Sequence, residues 1–326
     1  MRANASPLWQ YLKTPEGFRG CRSPLPAAAN FIHSLHSYCI AMPLELSLRE
    51  TSAADLGPSG SISVAGLLPE RLGEASPREL EHLPISCDGR PARLADCFTV
   101  AGSAADGILH CRGDFSRVHQ LGAGLSRGEI LVSGDVGRHA GEGMTGGKLV
   151  VRGNAGDWLA CGMAGGSVQV GGAAGDNAAA ALPGERRGMT GGSVTVGGSV
   201  GSLAGSRMRR GLLAVGGDCG EAVGFEMLAG TVVVAGRPDR LAGLGIRRGS
   251  VILLAAAGAE ESPAWLPPNF RRGTVWSPAF LPLLARHLYA VGFAAAAAHD
   301  WRGPWQQWHG DGLCGGRGEI LVPMAE

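Results

Sequence analysis

Of the 29 basic residues in this chain of 326, only Lys13 and Lys148 are lysine; the rest are arginine. With its load of Ala and Gly, this composition marks a high-GC coding sequence and points to a bacterial source. Charged residues are scarce, at 17%, while apolar residues reach 45%, a balance that excludes disorder. A formal net charge of +1 excludes a general attraction to nucleic acid or to a membrane surface. The eight cysteines contain no C-x-x-C pair and no shared spacing. They read as reduced, mostly buried thiols of a cytoplasmic protein, not as a disulfide framework. The longest apolar stretch near the end, between His287 and His299, has 11 residues and is too short to cross a bilayer.

Catalytic motifs are missing too. Despite 54 glycines, no G-x-G-x-x-G opens a helix after a strand, and no G-x-x-x-x-G-K-[ST] loop occurs. His110, His119 and His139 occupy unmatched positions without partners nearby in sequence, so no metal site is expected. Asp55, Asp88 and Asp106 fall in turn-like stretches with no general-base partner. Cys111 and Cys219 read as small apolar fillers of an interior. No catalytic residue is expected in this chain.

What is present is a phrase said many times. "GEGMTGGKLVVRGNAG" starts at Gly141, "GSRMRRGLLAVGGDCG" at Gly205 and "GFEMLAGTVVVAGRPD" at Gly224. The anchors are Leu125, Met144, Met163, Met189, Met208, Met227 and Ile246, spaced by 19 residues except for one step of 26. A Gly stands three residues after every anchor, and another stands nine after each of the first six. Between them the apolar positions alternate, as in Leu149/Val151, Val194/Val196 and Val232/Val234. Period two means a short strand with one inward face. Such a strand cannot bury that face alone, so a fixed repeat near 20 residues implies stacked coils. The spacing rules out hexapeptide repeats, the missing G-G-x-G-x-D rhythm rules out calcium-binding nonapeptides, and the missing Leu and Asn signature rules out leucine-rich repeats. The fold expected is all-β: a right-handed parallel β-helix of 19-residue coils, a prism about 30 Å long, with small helical caps.

The flanks divide the chain. Residues 1–41 carry neither the repeat nor a secretory signal, and they read as a mis-called, disordered extension ahead of Met42. Residues 42–118 are expected to form an N-terminal cap with entry strands. There, Ser76-Pro77-Arg78-Glu79 opens a helix running through Leu80 and Leu83, and "LADCFTV" reads as a strand. Residues 119–258 form the Gly-rich β-helix, and 259–326 a C-terminal cap. In that cap a helix from Pro278 to about Val291 is expected to cover the open end, and Trp301, Trp305 and Trp308 to pack. Seven extra residues within "GDNAAAALPGERRG" form an external loop on one face.

With these motifs in hand, the chain resembles the C-type subunit of formylmethanofuran dehydrogenase, and it is similar to the C-terminal domain of the glutamate synthase large subunit. "GDFSRVHQLGAGLSRGEILVSGDVG", "LPGERRGMTGG" and "GRGEILV" carry the likeness, which spans about Met42 to Pro323. The resemblance implies a non-catalytic scaffold subunit of a bacterial formyltransferase/hydrolase complex in tetrahydromethanopterin-linked one-carbon metabolism. It implies zinc amidohydrolase-like, formyltransferase and B-type subunits as partners. It also implies a methanofuran-type carrier in the complex, with no cofactor site in this chain. The corresponding C-type subunit of a molybdenum or tungsten enzyme remains an alternative, as does a stand-alone carbohydrate-active β-helix.

Arginine is the feature that stands out from the coils. Arg209 and Arg247 follow their anchors by one residue, and Arg210 and Arg248 by two, while Arg186 and Arg187 come from the insertion. They read either as a solvated edge or as a positive strip. Such a strip would face an acidic partner or the poly-glutamate tail that the resemblance implies for the carrier.

Overall fold

A strand of four to seven residues with alternating apolar positions buries one face only by stacking on a neighbour, and the repeat supplies that neighbour at a fixed offset. The computed structural model describes residues 43–49, 60–73, 75–103, 105–255 and 263–324. The expectation for residues 1–41 and the reading of Asp55 lie outside the described residues. The chain enters through β1 (Leu44–Leu48), β2 (Ile62–Ser63), β3 (Pro84–Cys87), β4 (Arg90–Arg93), β5 (Phe98–Ala101), β6 (Ile108–Arg112) and β7 (Val118–His119). The repeats give β8 (Glu129–Val132), β9 (Thr145–Val151), β10 (Gly165–Val170), β11 (Ser193–Val196), β12 (Leu212–Val215), β13 (Thr231–Val234) and β14 (Gly249–Leu253). Three more strands follow: β15 (Arg271–Trp276), β16 (Trp305–Gly310) and β17 (Gly318–Pro323).

The fold is mostly β. Thirteen strands form one sheet in the order β15-β16-β17-β14-β13-β12-β11-β10-β9-β8-β6-β1-β5, and β4-β3-β2-β7 form a smaller one. In the large sheet every pairing from β1 to β17 is parallel, while β5 and the β15–β16 end are antiparallel. Register follows the repeat: Ile130, Leu149, Val168, Val194, Leu213, Val232 and Val251 stand opposite one another in turn. All are fully buried, as their period-two pattern requires. A second parallel ladder runs through Phe115, Val136, Ala155, Ala174, Val200, Cys219 and Pro238, with the same repeat-to-repeat order.

Corners hold the stack together. Gln120, His139, Trp158, Asn177, Leu203, Ala222 and Leu241 form a column with φ between +57° and +63°. This conformation is unfavourable for most side chains. It persists because the N–H of each of the first six donates to a carbonyl one coil further on, at 2.8–3.0 Å. Another corner uses side chains as rungs. Asp135 Oδ1 accepts from Asn154 N–H at 2.7 Å, Asn154 Oδ1 from Ala173 N–H at 2.9 Å, and Asp218 Oδ1 from Arg237 N–H at 2.7 Å.

Among the described residues, four short α-helices flank the sheet: α1 (Pro69–Leu72), α2 (Pro77–Glu81), α3 (Leu94–Cys97) and α4 (Leu281–Ala290). The Ser76–Glu79 capping box starts α2, with Ser76 N–H donating to Glu79 Oε2 at 2.7 Å, yet the helix stops before Leu83. "LADCFTV" is not all strand. Asp96 Oδ2 accepts the Arg93 N–H at 2.7 Å, which closes a helical turn over Leu94–Cys97 before β5 begins. The C-terminal helix also departs from expectation, because α4 lies against the outward face of the sheet instead of its end. Leu281, Ala285 and Leu288 pack on Leu212, Ala214, Val233 and Ile252, the outward residues of β12 to β14. Those strands are apolar on both faces and need a cover. The stack's end is continued instead by β17, which pairs in register with β14. Trp301, Trp305 and Trp308 are buried as packing residues.

Candidate functional site

Four ion pairs among the described residues join charged side chains one repeat apart. Lys148 pairs with Glu129 at 2.8 Å, Arg138 with Asp157 at 3.5 Å, Arg207 with Glu226 at 2.8 Å and Arg240 with Glu221 at 3.0 Å. The arginine columns contain no such pair. Arg209, Leu228 and Arg247 stack in one column, their N–H groups donating to Met189, Met208 and Met227 carbonyls at 2.8 Å. Arg210, Ala229 and Arg248 follow in the next. No carboxylate occupies either column, and none of these arginines makes an ion pair among the described residues.

The insertion reaches the same corner. Ala180 accepts from Gly162 N–H, and Gly188 N–H donates to Arg207 O at 2.9 Å, so residues 181–187 leave the stack just before the anchor Met189. Arg207 holds this loop by donating to Glu185 O at 3.3 Å. Arg186 and Arg187 are exposed on it, and Arg210, Arg247 and Arg248 are exposed beside it, with Arg209 half-buried. Arg209, Arg210, Arg247 and Arg248 therefore line two adjacent columns, and the insertion that carries Arg186 and Arg187 is tied to the stack by Arg207.

Cavities interrupt the surface. One, of about 440 Å³, lies between Gln169 and Thr195 of the outward face and the segment after α4, where Gln169 Nε2 donates to Val291 O at 3.2 Å. It holds no nucleophile with a base. Another, of about 790 Å³, is lined by Arg117, His119, Arg138, His139 and Asp157. His119 Nδ1 accepts the Arg138 N–H at 3.0 Å. Burial, with the nearby Arg138 and His139 charges, holds its pKa below the ordinary histidine value.

Beside that cavity lies a cluster that the spacing along the chain does not reveal. His139 Nδ1 lies 2.9 Å from Glu142 Oε2 and 3.8 Å from Cys161 Sγ, and the three ligand-type atoms all fall within 4.8 Å of one another. Trp158 stacks on the His139 ring at 6.0 Å. Burial pushes the Cys161 thiol up to about 12, with the Glu142 charge adding to the effect. Its signal is in the columns: His139 and Trp158 both stand five residues before an anchor, and Glu142 and Cys161 both stand two before one. Cys87 and Cys97 also meet, Sγ to Sγ at 2.8 Å. Burial and that contact push the Cys97 thiol up to about 12, which keeps it a poor nucleophile. Asp88 and Asp106 serve turns, accepting from Ser61 and Ile108 N–H groups.

No protein-family model matches the sequence, and no curated protein matches it. A solved structure does. A chain of the formyltransferase/hydrolase complex (FhcABCD) from Methylorubrum extorquens, solved in complex with methylofuran, is 34% identical. The match covers 86% of this chain and 100% of that one, with a TM-score of 0.76. The chain belongs to the family of formylmethanofuran dehydrogenase C-type subunits.

Proposed function

We propose that this chain is the non-catalytic scaffold subunit of a formyltransferase/hydrolase complex in tetrahydromethanopterin-linked one-carbon metabolism. The observation that carries the reading is the likeness to a subunit of that complex across the whole of the matched chain. The coils wind as a right-handed parallel β-helix. Two parallel ladders sharing one repeat support this winding, and crossovers between parallel strands are right-handed almost without exception. Residues 42–118 and 259–326 cap the coils of 119–258. The partners are zinc amidohydrolase-like, formyltransferase and B-type subunits in the cytoplasm. No described helix is long and apolar enough to cross a membrane.

The arginine edge is the docking strip. Coils stack about 4.8 Å apart, so Arg209 and Arg247 stand about 10 Å apart on a rigid wall. An acidic subunit surface, or the glutamate tail of a methanofuran-type carrier, matches that spacing. Changing Arg209, Arg210, Arg247 and Arg248 together to Gln leaves the isolated fold intact, because the inward columns are untouched. Assembly or carrier affinity then falls, with the larger loss at low salt. If the quadruple variant assembles and binds carrier like the parent at low salt, the strip is only a soluble edge.

A further inference from the structure

Three donor atoms of different chemistry converge at the corner where His139 and Glu142 of one repeat meet Cys161 of the next. The Glu142 carboxylate satisfies His139 Nδ1 at 2.9 Å, yet the Cys161 thiol is aimed at the same nitrogen from 3.8 Å. A proton relay needs the nucleophile and the carboxylate on opposite ring nitrogens. Here both meet Nδ1, so the trio is not arranged for nucleophilic catalysis. It is arranged around a point.

Tetrahedral zinc binds imidazole nitrogen and carboxylate oxygen at about 2.0–2.2 Å and thiolate sulfur at about 2.3 Å, so its ligands stand about 3.3–3.8 Å apart. The distances of 2.9 and 3.8 Å bracket that range, and small side-chain rotations close the difference. Charge agrees as well. A thiolate and a carboxylate with a neutral imidazole balance a divalent cation, and the mixed soft and hard donors suit Zn²⁺ better than Ca²⁺ or Mg²⁺. The His139 and Glu142 side chains keep 31% and 25% of their surface exposed, and His139 also lines the cavity of about 790 Å³. Water therefore reaches a fourth position.

We infer that His139, Glu142 and Cys161 form a Zn²⁺ site that clips two successive repeats together. On binding, a Zn–S bond replaces the Cys161 S–H bond, and the proton leaves to solvent. The ion is held by three protein ligands and one water. This inference is independent of the assembly role.

The test uses the full-length chain, stripped with chelator and titrated with Co²⁺ as a spectroscopic stand-in. One equivalent of Co²⁺ should raise a thiolate-to-cobalt band together with the visible bands of a tetrahedral ion, and Zn²⁺ should abolish both. Cys161→Ser should lose the thiolate band, and Cys314→Ser, on the exposed C-terminal thiol, should keep it. Should Cys161→Ser fail to fold, Glu142→Gln and His139→Asn each decide the matter by weakening Co²⁺ and Zn²⁺ at least tenfold. No band in the parent, a band that survives in Cys161→Ser, or unchanged affinity in the other two variants overturns the site.

Discussion

At Gly211 the backbone holds φ +99°, and a Cβ there would sit 2.8 Å from the Gly192 carbonyl oxygen and from Met189 Cε. The conformational penalty and the clash add, so Gly211→Ala is expected to cost at least about 2 kcal/mol. Gly184, in the insertion, has φ +86° but nothing within 4 Å, so Gly184→Ala costs only about 1 kcal/mol. Urea unfolding midpoints of the two variants check the contrast. His119 offers a second residue-scale test. Its folded pKa lies below the unfolded one, so its contribution is present above about pH 6.5 and is lost as pH falls through the folded value. Protonation destroys the acceptor for Arg138 N–H. His119→Asn should therefore show a shallower fall in stability below about pH 6.5 than the parent, read by thermal unfolding across pH. The anchor glycines were legible in the sequence because only Gly fits those corners. Trp158 and Leu203 were not legible as positive-φ residues, since their local preference opposes it and the cross-coil hydrogen bond overrides that preference.

Among elements, the strands of the repeats were the most legible, because their alternation and fixed offset state both face and register. Helix α4 was half legible. Its amphipathic spacing announced a helix, but its docking face was written elsewhere, in the continuous apolar runs of β12 to β14. Gln169 of β10 and Thr195 of β11 mark the strands that need less apolar cover. The entry segment Leu94–Cys97 departs from a strand because apolar content alone does not reveal a turn that Asp96 closes. Leu288 is fully buried between α4 and the outward face. Leu288→Ala is expected to cost about 2–4 kcal/mol. The loss should be local: amide exchange in α4 rises while the β10 and β11 amides keep their protection. Equal loss of protection in both places would mean that the helix and the coils unfold as one.

For the whole molecule, the 19-residue repeat does two things at once. It buries a core through inward columns, and it lines up outward side chains in columns, one per repeat. Opposite charges one repeat apart pair in three columns, and the arginine columns hold no such pair among the described residues. Arg209 with Arg247, and Arg210 with Arg248, stood out in the sequence because each pair shares a position relative to the anchors, whereas Arg186 and Arg187 come from the insertion. The His139–Glu142–Cys161 corner was not, because its members meet down the columns and not along the chain. On the function proposed above, the chain's contribution is a rigid wall on which other subunits assemble. The most direct test is to purify the chain with an affinity tag from its own cell under gentle conditions and identify what elutes with it. Formyltransferase and amidohydrolase subunits should co-elute at fixed stoichiometry, with formyl transfer in that fraction and none in the isolated chain. A chain that elutes alone, or that turns over substrate by itself, would contradict the scaffold role.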